Sequence, residues 1–150
     1  MISPATSRFN DLSIRGFRRL FDVQLLLRPL SVMIGANGTG KTSVLDVFSL
    51  LAKSAQGKLS ESISELSGLS SILTYDRAEE LQLGIAMLDA PHGLLEYSLT
   101  LRPQAASYAI TEERLCEHIS GYMKVFDHID SHGDDVKYFE VDQNKGIPAL

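Results

Sequence analysis

Gly35-Ala36-Asn37-Gly38-Thr39-Gly40-Lys41-Thr42 fits the pattern G-x-x-x-x-G-K-[ST]. Three glycines let the main chain come close to an anionic chain, and the loop N–H groups can then cradle the α- and β-phosphates. Lys41 is positioned to reach the β/γ oxygens and is the candidate catalytic residue. The Thr42 hydroxyl is the candidate Mg²⁺ ligand.

The flanks fit this reading. Leu30-Ser31-Val32-Met33-Ile34 is a nearly continuous apolar run, the composition of a strand buried on both faces. After the loop, Val44, Leu45, Val47, Phe48, Leu50 and Leu51 recur at helical spacing, while Ser43, Asp46, Ser49 and Lys53 fill much of the other face. The expected order is strand, glycine loop, helix, with the helix N-terminus and its positive dipole end aimed at phosphate. A glycine-rich turn without a ligand is the competing reading; the Lys-Thr pair after the last glycine argues against it.

Further out, Leu12, Ile14 and Phe17 suggest a first strand, and Phe21, Val23, Leu25 and Leu27 alternate with polar residues as a second. Pro29 separates it from the loop strand. The helix is expected to end near 54–57, with Gly57 as its stop signal. Residues 59–67 read as a short amphipathic helix. The period then changes to two. Leu81, Leu83, Ile85 and Met87, then Leu95, Tyr97, Leu99 and Leu101, form two alternating runs around the turn-forming stretch 89–93, which predicts a β-hairpin. Tyr108 and Ile110 suggest a short strand before Thr111-Glu112-Glu113-Arg114-Leu115. A second hairpin is expected from Met123, Val125 and Phe126 on one arm and Val136, Tyr138 and Val141 on the other. The fold class that follows is α/β: a P-loop NTPase core over 1–58, with an attached antiparallel β region and a short helix over 59–150.

The 150 residues make one domain or a large part of one, and 44% hydrophobic content suffices for a core. The first 58 residues hold 8 Lys and Arg against 3 Asp and Glu; the rest hold 6 against 16. An acidic chain is a poor default nucleic-acid binder, although its basic first part could meet phosphate of a nucleotide or of DNA. The single cysteine, Cys116, cannot form an internal disulfide and suggests no metal cage, which fits a reducing interior. No apolar stretch approaches the roughly 20 residues of a membrane span, and the N-terminus has no signal-peptide core. A cytoplasmic location is expected.

Leu12-Ser13-Ile14-Arg15-Gly16-Phe17-Arg18-Arg19, together with 30–45 and Asn37 in particular, resembles the start of ABC-type ATPases of the RecF/SMC kind, grouped with AAA family ATPases of the OLD-like, predicted-ATPase branch. The β-rich continuation resembles the antiparallel lobe of that branch more loosely. The resemblance implies that Gly35, Ala36, Asn37, Gly38, Thr39, Gly40, Lys41, Thr42 and Ser43 bind ATP with Mg²⁺. It also implies that two heads close over two nucleotides as a homodimer, and that hydrolysis drives work on DNA, in defence or in regulation. Complete heads of that family are longer, so an N-terminal lobe of one is expected, with weak nucleotide binding and negligible turnover alone.

Several family parts have only imitations here. Leu66-Ser67-Gly68-Leu69-Ser70 resembles a signature motif without the arginine-rich helix expected after it. Ile85-Ala86-Met87-Leu88-Asp89-Ala90 resembles a Walker B strand, but Ala90 stands where the water-activating Glu belongs, and Asp89 falls in an expected hairpin turn. His128-Ile129-Asp130-Ser131-His132-Gly133-Asp134-Asp135 has metal-ligand types but reads as a solvated hairpin tip. Asn144-Lys145-Gly146-Ile147 begins like a guanine-reading motif and lacks its Asp. Arg15, Arg18 and Arg19 are candidate phosphate contacts, and Phe17 and Phe21 candidate adenine-stacking rings, with a solvated strand end and core packing as the competing readings. The alternatives in function are a non-catalytic nucleotide-binding or interaction module, that is, a truncated ATPase remnant, and a small-molecule kinase. A kinase would want an arginine-rich lid, and beyond residue 60 only Arg77, Arg102 and Arg114 are present.

Overall fold

A computed structural model describes residues 7–89, 93–105, 107–119 and 125–138, and the strands Val141–Asp142 and Ile147–Pro148. Seven strands form one sheet, every neighbouring pair antiparallel: β1 (Arg8–Phe17), β2 (Leu20–Leu26), β3 (Leu81–Asp89), β4 (Gly93–Gln104), β5 (Ser107–Ile119), β6 (Val125–His132) and β7 (Asp135–Tyr138). The order is β2-β1-β3-β4-β5-β6-β7, so the sheet is a meander interrupted only where three helices lie between β2 and β3. These are α1 (Lys41–Ser54), α2 (Leu59–Glu65) and the single turn α3 (Leu69–Ile72).

Alternation decides the two faces. Leu12 and Ile14 of β1, Leu81 and Leu83 of β3, and Leu99 and Leu101 of β4 are all buried in one cluster with Val44, Val47, Leu50 and Leu51 of α1. Each such buried side chain contributes about 2 kcal/mol by removal from water. A bulge between Thr100 and Leu101 in the β4–β5 ladder lets Tyr108 and Ile110 on one side of it, and Leu115 on the other, all face the α1 side. β5 is thus one continuous strand through Thr111-Glu112-Glu113-Arg114-Leu115, not a short strand with a separate segment after it. The two parts read in the sequence, 1–58 and 59–150, share this sheet and this core.

Four further expectations are corrected. Residues 30–34 form no strand, and Leu30, Val32 and Ile34 are exposed, Ile34 at 93%. A continuous apolar strand needs hydrogen-bonding neighbours on both edges. The last rung beside β2 is Leu27 N–H to the Asn10 carbonyl, and the described sheet offers no parallel neighbour beyond it. Within α1, Leu45 points outward and Ser43 inward, the reverse of the expected sorting. The second hairpin turns at Gly133-Asp134, so His128–His132 belong to strand β6 rather than to a tip. Val141 lies in β8 (Val141–Asp142), which pairs with β9 (Ile147–Pro148) apart from the main sheet. Met123 and Asn144-Lys145-Gly146 lie outside the described residues.

Gly16 shows why one hairpin sits where it does. Its φ is +83°, and a Cβ there would stand 2.4 Å from the Glu80 carbonyl oxygen. On the other side the Gly16 carbonyl accepts Thr74 N–H at 3.0 Å, and Arg18 N–H donates to the Ile72 carbonyl at 2.6 Å. The segment after α3 thus ties down the two-residue turn Arg18-Arg19 between β1 and β2.

Candidate phosphate-binding site

The loop 35–40 runs into α1 through two glycines in left-handed conformations, Gly38 at φ +80° and Gly40 at φ +102°. Such angles are strained for any residue with a Cβ. The first helical hydrogen bond is Val44 N–H to the Gly40 carbonyl at 3.1 Å. No side chain caps this end, and its first turn carries no acidic residue. The N–H groups of the first turn therefore have no partner within the helix, and the positive end of the dipole is uncompensated, the ordinary setting for an anion.

Cations surround the loop. Lys41 Nζ donates to the carbonyls of Gly35 and Ala36, both at 2.6 Å, and Thr39 Oγ1 donates to the Ala36 carbonyl at 3.0 Å. Arg19 donates from Nη1 to the Gly38 carbonyl at 2.9 Å. These bonds engage carbonyl oxygens that would otherwise repel a phosphate. Arg18 pairs with Asp46 on the second turn of α1 and lies over the Phe17 ring at 5.2 Å. Arg18, Arg19, Asn37, Lys41 and Thr42 line a cavity of about 330 Å³ at the helix end. Thr42 is exposed there, while Ser43 is buried beneath.

The hairpin thus delivers Arg18 and Arg19 to the loop. Arg15 goes elsewhere: it pairs with Asp22 at 3.2 Å on the sheet. Phe17 is fully buried in the core and cannot stack a base, which corrects that reading; Phe21 is exposed beneath Arg77. The signature-like segment 66–70 covers the turn after α2 and the first two residues of α3, with Leu69 in the core. Asp89 ends β3 opposite Gly93 in an antiparallel pair, so it is not the end of a buried parallel strand as a Walker B Asp would be. What the sequence did not disclose is how close the arginines come to the loop. The two-residue spacing of Arg18-Arg19 between Phe17 and Leu20 was the available signal.

A glycine loop opening a helix, ringed by Lys41, Arg18 and Arg19, is the equipment of a nucleotide-binding ATPase domain. The family agrees: a family model described as AAA ATPase domain matches residues 8–145, and the chain belongs to that family. Membership carries ATP binding and hydrolysis at a general level. No curated protein matches the chain. No described helix is long and apolar enough to cross a membrane.

Proposed function

We propose that this chain holds Mg-ATP on residues 35–43, with loop and first-turn N–H groups on the phosphates, Lys41 on the β/γ oxygens and Thr42 on Mg²⁺. The observation that carries this is the uncapped N-terminus of α1 opening onto a cavity lined by Lys41, Arg18 and Arg19. The loop's own geometry supports this reading: Arg19 holds the Gly38 carbonyl, and a Cβ at Gly38 or Gly40 would meet Arg19 or Leu20. Bound Mg²⁺ would supply charge neutralisation between β- and γ-phosphates, where positioning and electrostatics do most of the catalytic work. Lys41 must then leave the carbonyls of Gly35 and Ala36, and Arg19 is close enough to add a second cation.

Hydrolysis, a homodimer of heads and coupling to DNA-related, defence or regulatory work complete the proposal, on the strength of the family resemblance; a cytoplasmic setting goes with it. A second reading, nucleotide binding without turnover in a remnant or interaction module, is favoured by one observation. Among the described residues no parallel strand presents an Asp-Glu pair beside Thr42.

Titration of the nucleotide-free chain with a fluorescent ATP analogue in Mg²⁺ tests the binding. Saturable binding, weakened at least about tenfold in Lys41→Ala, is expected for loss of a charge-assisted hydrogen bond. Equal affinity in both proteins would overturn the assignment. Turnover measured in the same samples separates the ATPase from the binding module.

A further inference from the structure

The face of the sheet turned away from the helices is polar, yet it holds a buried thiol. Cys116 is 3% exposed. The β4–β5 register sets Glu96 directly opposite Cys116, and the two-residue repeat of a strand puts His118 on the same face as Cys116. His118 Nε2 lies 2.6 Å from Glu96 Oε2, and Cys116 Sγ lies 4.0 Å from that same oxygen. The three donor atoms all fall within 4.8 Å of one another.

We propose that Glu96, Cys116 and His118 form a zinc site, one thiolate, one imidazole and one carboxylate with a fourth position open to water. Tetrahedral Zn²⁺ with ordinary bond lengths places its donors about 3.3–3.6 Å apart. The Cys116–Glu96 separation must close slightly and the His118–Glu96 separation must open. Glu96 and His118 are each close to half exposed, so their side chains have room to adjust. The charges balance. Thiolate and carboxylate together offset the dication, while the nearby Arg114 is already matched by Asp127, to which its Nε donates at 2.8 Å. A cavity of about 250 Å³ borders the cluster, with Asp11, Ser13 and Arg114 on its wall, and admits a water to the fourth position. Soft sulfur with imidazole nitrogen selects zinc over magnesium, which keeps this site chemically separate from the loop at 35–43.

The histidines on β6 provide the control. His128 contacts Glu117 at 3.0 Å and His132 contacts Asp130 at 3.1 Å. Neither belongs to the three-donor cluster.

The test is titration of the metal-stripped, nucleotide-free chain with Zn²⁺ against a chromophoric chelator, and with Co²⁺ as an optical probe. The expected result is one zinc per chain and a thiolate-to-cobalt charge-transfer band. His118→Asn and Glu96→Gln, at exposed positions, should each weaken zinc at least about tenfold, as loss of a ligand does. Cys116→Ser should abolish the band; should that buried substitution fail to fold, the other two carry the test. His132→Ala should change nothing. Zinc well below one per chain, or an affinity unchanged in both His118→Asn and Glu96→Gln, would overturn the proposal.

Discussion

The segment 28–40 and the β4–β5 ladder are both rich in apolar residues, and the chain treats them in opposite ways. Leu99 and Leu101 of β4 are buried against α1, and β4 is hydrogen-bonded on both edges. Leu30, Val32 and Ile34 carry the same chemistry and stand in solvent without a ladder. Apolar character therefore does not place a strand; a partner for its backbone does. The glycine loop at 35–40 inherits this contrast. Gly38 and Gly40 are left-handed and the helix end after them is uncapped, while the strand expected to lead into it is unsupported.

The comparison breaks most easily by truncation on its two sides. Leu101→Ala, at a fully buried position, should cost about 2–5 kcal/mol in urea unfolding. Ile34→Ala, nearly fully exposed, should stay within about 0.5 kcal/mol. A large cost at Ile34 would mean that the segment packs against something and that the contrast is false.

The next effect separates chemistry from stability. Lys41→Ala should remove about 1.5–3 kcal/mol of nucleotide binding, measured by titration. Its urea midpoint should hardly move, because among the described residues the Lys41 ammonium bonds only to the loop carbonyls of Gly35 and Ala36.

How far the sequence was legible follows from the same contrast. Alternation in 81–87 and 95–101 announces the β3–β4 hairpin because one face is buried and the other polar. The glycine loop and α1 are legible because GxxxxGKT fixes its backbone locally. Residues 30–34 misled because a continuous apolar run reports burial on both faces, and that depends on neighbours elsewhere in the chain. The continuity of β5 was hidden by Glu112-Glu113-Arg114, whose charges suggest a surface segment. In the fold, Glu113 accepts the Tyr97 hydroxyl at 2.8 Å and Arg114 meets Asp127, so the charges are absorbed within the sheet. The Glu96–Cys116–His118 cluster was invisible because Glu96 lies 20 residues away and only strand register brings it across.

Gly16 tests whether the loop depends on the sheet. Gly16→Ala sets a Cβ against the Glu80 carbonyl at φ +83°, at a cost of about 1–3 kcal/mol. Because Gly16 anchors the hairpin that carries Arg18 and Arg19, the variant should also weaken nucleotide binding. Gly57→Ala, at φ +72° with open space around it, should cost less in unfolding and nothing in binding.

The smallest effect lies at the same Glu80, through its side chain. Arg102 donates to Glu80 at 2.8 Å and holds its carboxyl below the usual value near 4.5, helped by Gln82 and opposed by burial. A carboxyl lowered on folding adds stability that is complete above its unfolded pKa and disappears as pH falls through the folded one. The Arg102 side chain is more than half exposed, so solvent screens the pair and its worth is about 0.2–1 kcal/mol. Glu80→Gln should therefore be slightly less stable than the parent at pH 7, and the gap should close as the pH drops below about 4.5. A gap that persists under those conditions would show that the Glu80 side chain contributes through the hydrogen bond it accepts from Gln82 at 2.7 Å rather than through its charge.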